Sequence, residues 1–216
     1  MPLHPIEMDT YQRREHFEHF LAMQLTYSAT VEIDVTHMRT AAKARGYRAY
    51  PAQIWMLTTA AKSLAEFRMS FDTEGALGVW DELHPVFTVL NDAKRTFSGL
   101  WTRYYEDFSE FNRMCLRTIE QHNNGSLEPQ DDTPANVLNV SSIPWVAFTG
   151  FNLNLPSRYL LPILTIGRYT ERNGRTFMPL AVQVHHAVCD GWHLGQYIDE
   201  VQRIANSANE WMSDSA

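Results

Sequence analysis

The stretch PLAVQVHHAVCDGWHLGQYIDEVQ, Pro179–Gln202, contains a strand, a sharp turn and a helix in 24 residues. Leu180, Val182 and Val184 alternate with smaller or polar residues, the period of a strand with two different faces. Asp190-Gly191 punctuates the chain, and Leu194, Tyr197, Ile198 and Val201 then recur at helical spacing. A strand that hands over directly to a helix points to an α/β arrangement.

The preceding segment, PILTIGRYTERNGRTFMPLAVQV (162–184), places Asn173-Gly174 between two apolar runs, the strongest short signal for a hairpin. Working back from there, VSSI ends a strand predicted over 136–143, and WVAFTGFNL (145–153) is expected to form another. Short strands are predicted at 76–80, 86–90 and 96–101, with a further alternating strand at SATVEIDV (28–35). Helices are expected over Tyr11–Phe20, from Thr36 as N-cap to a stop at Gly46, over 51–67 with Pro51 in the first turn, over 107–122, and from Gly191 onward. The polar segment NNGSLEPQDDTP (123–134) is a surface loop within one domain. No alternation of strand and helix runs through the chain, which argues against a doubly wound sheet. The expected fold is α/β: a two-layer sandwich of helices packed on a mixed, largely antiparallel sheet, a single compact domain over 1–216.

The chain has 216 residues, is 44% hydrophobic and 20% charged, and carries a formal net charge of −7. That composition builds an ordinary core, and the acidic balance argues against nucleic acid and against an anionic membrane as partners. No apolar run reaches the ~18 residues that span a bilayer, and the first residues lack the basic-then-apolar layout of a secretion signal. A cytoplasmic location is expected. Cys115 and Cys189 make no disulfide framework and suit a reducing compartment.

Three chemistries compete for the HH-x3-D-G segment. His185, His186, Asp190 and His193 have the right types for zinc or iron. Neighbours at a strand end point to opposite faces, however, so the two histidines cannot meet one ion without a break in the strand. Cys189 could act as a nucleophile, but Asp190 beside it would raise its pKa rather than lower it. A lone general base is the third reading: a histidine presented at a strand end, with Asp190 pairing elsewhere to fix the turn and Gly191 allowing it. The same residues also fit buried structural histidines followed by an Asp helix cap.

The wider sequence adds a resemblance. QVHHAVCDGWH is similar to the signature of the chloramphenicol acetyltransferases. RREHFEHF, YPAQIWMLTTA, FTVLNDAKRTFSGLW, VSSIPWVAFTGFNLN and LTIGRY resemble that family in the same order, over about Thr10 to Ile204. Dihydrolipoyl acyltransferases and peptide-synthetase condensation domains carry related histidine patterns, but chain length and the other five stretches select the smaller family. The resemblance implies a homotrimer with active sites at subunit interfaces and acetyl-CoA as cosubstrate, with no metal. It implies that a hydroxyl of chloramphenicol attacks the thioester directly, without an acyl-enzyme; the same transfer to another small alcohol or to an amine is the near alternative. A non-catalytic trimeric binding protein is the alternative of a different class.

By the same resemblance His186 matches the base and Ser141 the donor to the oxyanion. Asp190 and Arg13 match a structural ion pair, and Thr165 matches a threonine beside a bound water. Trp145, Arg168 and Tyr169 lie where coenzyme A contacts are expected, and Phe20, Gln24, Phe151 and Leu153 at acceptor-pocket positions. His19, Gln24, Thr26 and Glu128 depart from the family's apolar or aromatic pattern and imply a more polar pocket. The roles agree with chemistry: an alcohol needs a base, and a developing oxyanion needs a donor.

Overall fold

The computed structural model describes residues 2–128, 130, 132–154 and 158–213. In chain order the elements are β1 (Leu3–Pro5), α1 (Arg14–Ala22), β2 (Thr26–Asp34), α2 (Thr36–Ala44) and α3 (Ala49–Lys62). A 3-10 turn at Ala65–Arg68 leads to β3 (Met69–Phe71), β4 (Leu77–Trp80), β5 (His84–Asn91) and β6 (Thr96–Trp101). Then follow α4 (Phe108–His122), β7 (Val137–Ile143), β8 (Ile163–Gly167), β9 (Thr170–Arg172), β10 (Arg175–His185), α5 (Gly191–Asn206) and α6 (Ala208–Trp211).

The main sheet has the order β2-β10-β8-β7-β5-β6, with β9 paired to the start of β10. β7 runs parallel to both of its neighbours, and the other pairings are antiparallel. A small second sheet, β1-β4-β3, sits beside it. The helices pack on one face of the main sheet, as expected for two layers. Alternation sorts the residues. Leu138 and Val140 on β7, Leu164 and Ile166 on β8, and Leu180, Val182 and Val184 on β10 are buried in the helix-side core. The opposite face carries Thr88, Asn139, Ser141, Thr165, Gln183, Ser28 and Thr30, a sheet surface rich in hydroxyls and amides. No described helix is long and apolar enough to cross a membrane.

The hairpin at Asn173-Gly174 forms as expected. Asn173 has φ +50° and Gly174 φ +74°, the two left-handed residues of a type I′ turn. Gly46, at φ +73°, ends α2. Other expectations need correction. Helix α1 begins at Arg14 rather than Tyr11. Thr36 lies inside α2, and the acceptor that satisfies its first turn is Asp34, whose Oδ1 takes bonds from the Thr36 N–H (3.0 Å) and hydroxyl (2.5 Å). The helix expected over 51–67 is α3 followed by a separate 3-10 turn.

The largest departure is residues 145–153, which form no strand. Both edges of β10 are already taken, by β2 and β8, and β8 is flanked by β7, so this apolar segment finds no free edge beside them. It belongs to the connection 144–162 between two parallel strands, which must cross back over the sheet. It lies against the polar face and is held there by side chains.

Candidate active site

His186 is the first residue after β10. Its N–H donates to the Leu25 carbonyl (2.9 Å), which extends the β10–β2 register by one residue before the chain turns. The imidazole stacks on the Phe20 ring of α1, with centroids 3.8 Å apart and planes 8° apart, and the Tyr27 ring lies 5.1 Å away. Two aromatic rings therefore set its plane. Its Nδ1 is buried and lies 3.3 Å from Asp190 Oδ1, an ion-pair contact without hydrogen-bond geometry. Asp190 thus approaches the imidazole, although the sequence suggested it could act entirely elsewhere.

Asp190 and Arg13 do meet. Arg13 Nη1 donates to Oδ2 and Nη2 to Oδ1 (3.0 Å), and Nη2 also reaches the Ala187 carbonyl (3.5 Å). The planar guanidinium so ties the carboxylate and the turn backbone together. Partial burial pushes the Asp190 carboxyl up, but Arg13, aided by His193 and His186, outweighs it and holds the carboxyl below the usual range. The Asp190 N–H donates to His193 Nδ1 (3.0 Å), and His193 Nε2 lies 3.5 Å from Glu66. Gly191 has an ordinary φ and open space where a Cβ would stand, so the turn does not depend on glycine.

His185 points away from this cluster. It is 1% exposed, and its Nδ1 accepts the Ala187 N–H at 3.1 Å. Among the described residues no group of three His, Cys, Asp or Glu side chains is placed to hold a metal ion. Cys189 is buried, and that burial pushes its thiol up to about 12, a poor setting for a nucleophile.

Ser141 stands elsewhere on the sheet. It lies toward the end of β7, directly beside Thr165 of β8, which is 1% exposed and pairs with Ala181 of β10. Ser141 borders a cavity of about 720 Å³, shared with Tyr50, Gln53, Trp145, Arg168 and Tyr169. The Tyr169 hydroxyl accepts from Gln53 Nε2 (2.6 Å), and the Arg39 guanidinium lies 4.6 Å over its ring. Trp145 is exposed. On its other side Ser141 borders a smaller, mostly apolar cavity of about 360 Å³ that includes Leu153 and Tyr159. Leu153 in turn borders a polar cavity of about 530 Å³ with Thr26, Tyr27, Phe151 and Gln183.

The expected site residues therefore fall into two groups. His186, Phe20, Arg13 and Asp190 form one. Ser141, Thr165, Trp145, Arg168 and Tyr169 form the other, and Phe151 and Leu153 lie on the loop between. From the register, Ser141 is level with Ala181, five residues short of His186 and two strands across. At ~3.3 Å per residue and ~4.8 Å per strand the two are about 15–20 Å apart within one chain. His19, Gln24 and Glu128 are exposed, and Gln24 occupies a turn at φ +53°. Of the polar departures, Thr26 lines the polar cavity of about 530 Å³. Tyr27, Tyr50, Gln53 and Gln183 were missed in the sequence. None left a functional signal there: Gln183 alternates with inward Val182 and Val184 and so falls on the polar face of β10, where a polar residue is ordinary.

The chain can be compared with known proteins. The family model described as chloramphenicol acetyltransferase matches residues 1–202. A chloramphenicol acetyltransferase of Staphylococcus aureus is 40% identical over 215 residues, covering 98% of this chain and 100% of that one. One of Bacillus pumilus is 40% identical over 211 residues, covering 96% of each. Among solved structures, a chloramphenicol acetyltransferase superposes with a TM-score of 0.84 at 24% identity, covering 94% of this chain and all of that one, a likeness of fold.

Proposed function

The chain belongs to the chloramphenicol acetyltransferase family, and on that premise we propose that it transfers an acetyl group from acetyl-CoA to a hydroxyl of chloramphenicol, the modification that gives resistance to the antibiotic. The family match over residues 1–202 carries this reading. His186 is the base. Its Nδ1 is turned toward Asp190, which leaves Nε2 for the acceptor. Nε2 takes the hydroxyl proton as the oxygen attacks the thioester carbonyl. The new oxyanion accepts a hydrogen bond from Ser141. When the carbonyl re-forms, the C–S bond breaks and the departing thiolate of coenzyme A takes the proton from His186. Arg13 and Asp190 hold the turn that presents the imidazole. The cavity of Tyr50, Trp145, Arg168 and Tyr169 takes coenzyme A, and Phe20, Phe151 and Leu153 offer apolar surface to the acceptor.

An oxyanion donor must sit about 3 Å from its target, and the base must reach the same substrate. The separation of roughly 15–20 Å between Ser141 and His186 in one chain supports a site that takes His186 from one subunit and Ser141 from another. A homotrimer with three such interfaces closes that arrangement. Thiol release from acetyl-CoA, measured with and without chloramphenicol, tests the reading. Release that depends on chloramphenicol supports it; no release above the background rate of hydrolysis overturns it.

A further inference from the structure

Residues 144–162 form a long connection without helix or strand among its described residues, yet it is pinned at regular points. Loops of this length in a compact domain are uncommon and tend to be functional. Gln183 sits near the end of β10, two residues before His185, and is 4% exposed. Its backbone serves the ladder, and its side chain projects from the polar face. There its Oε1 accepts the Leu153 N–H at 2.6 Å, and its Nε2 donates to the Leu153 carbonyl at 2.6 Å. One carboxamide thus satisfies both backbone groups of one residue, as a neighbouring strand would.

The device repeats two residues earlier. The Phe151 carbonyl accepts from the Ser28 hydroxyl (2.5 Å), and the Phe151 N–H donates to Thr30 Oγ1 (3.3 Å). Ser28 stands directly opposite Gln183 in the β2–β10 ladder, and Thr30 opposite Ala181. Side chains on one sheet face therefore pair a segment that has no free strand edge. The result fixes the two residues whose side chains border the cavities between Ser141 and Tyr27.

We propose that Gln183 is a positioning residue for the acceptor: through its two bonds to Leu153 it sets the wall against which the acceptor alcohol is held in line between base and thioester. The inference rests on the acetyl-transfer reading. The chemistry of the clamp is specific. Asn is one methylene too short, Glu lacks the donor at neutral pH, and an apolar residue has neither group. A displaced wall loosens the hold on the acceptor, which raises its KM, and misaligns the attacking oxygen, which lowers kcat as well. Neither Gln183 nor Leu153 lines the cavity bordered by Tyr50 and Tyr169, proposed for coenzyme A.

The test uses Gln183→Met, close in volume but without either bond, and Gln183→Glu. For Gln183→Met the KM for chloramphenicol should rise about ten-fold or more while the KM for acetyl-CoA stays within about two-fold. Amide hydrogen exchange at Leu153 should accelerate. For Gln183→Glu, lowering the pH toward 5 restores a donor and an acceptor on one carboxyl. Its chloramphenicol KM should then approach the wild-type value at the same pH. Equal rises in both KM values, or a chloramphenicol KM and a Leu153 exchange rate both unchanged, overturn the proposal. If Gln183→Met does not fold, the pH response of Gln183→Glu decides alone: a KM ratio to wild type that does not move with pH counts against the clamp. The exchange measurement needs no substrate. A wild-type protein that never acetylates chloramphenicol therefore overturns the acetyl-transfer reading, while Leu153 exchange still judges the clamp itself.

Discussion

His186 is held on three sides: by the Phe20 ring at 3.8 Å, by the Tyr27 ring at 5.1 Å and by Asp190 at 3.3 Å. Such a ring has little freedom to leave its plane, which is what an aimed proton acceptor requires. His186→Ala should lower turnover by about 10²–10⁴-fold, while acetyl-CoA binding, measured by calorimetry, persists. His185→Ala removes a residue that is 1% exposed and bonded to the turn backbone, so it should lower stability more than rate. Near-normal rates in both variants would mean that another group is the base. Ser141→Ala should cost about 10²–10³ in kcat with little change in KM, because its bond strengthens only in the transition state. A change confined to KM would make Ser141 a substrate-binding group instead.

The contact between α1 and the start of α5 runs through Arg13 and Asp190, 177 positions apart in sequence. Their side chains are 19% and 32% exposed, so the pair lies between a surface and a buried bridge. Losing one partner should cost about 1–3 kcal/mol. Asp190→Asn and Arg13→Val should each lower stability and activity, and the double variant should lose less than the sum in denaturant unfolding. Strictly additive losses would count against the pair. The pH dependence has a definite sign. The folded carboxyl titrates below its ordinary range, so its contribution is complete above about pH 4 and fades as pH falls through the lower folded value. Asp190→Asn should therefore flatten the acid limb of the stability curve.

Elements with their own periodicity and punctuation were readable in advance. The Asn173-Gly174 hairpin, α4 and the strand–turn–helix around His186 each carry both signals in a few residues. Residues 145–153 were not, because their apolar pattern suits a strand and only the occupied edges of β10 deny them one. Thr36 was misplaced because an Asp two residues earlier supplies the acceptor that its position advertised. In the site, the meeting of Arg13 with Asp190 was implied by resemblance and could not be computed from spacing. Gln183 escaped notice because its bonds go to a loop backbone, which leaves no side-chain pattern to read.

At the scale of the whole molecule the two halves of the proposed site lie too far apart on one sheet to cooperate. Two inactive variants should therefore rescue each other. Mixing His186→Ala chains with Ser141→Ala chains, unfolding and reassembling them should return up to about a quarter of wild-type activity, since one interface in four pairs an intact histidine with an intact serine. No recovery, with mixed assemblies confirmed by mass, would place the whole site within one subunit. The strand order has a consequence for how such chains are born. β10 inserts between β2, from the chain's beginning, and β8, so the register Thr26↔His185 joins positions far apart in synthesis. A nascent chain leaving the ribosome holds β2 and β8 with open edges until nearly all of it has emerged. Pairings of such long range fold slowly and leave edges available for wrong partners. The turn that carries His186 is thus completed by the last strand to arrive, and a chain released early lacks the residue proposed as its base.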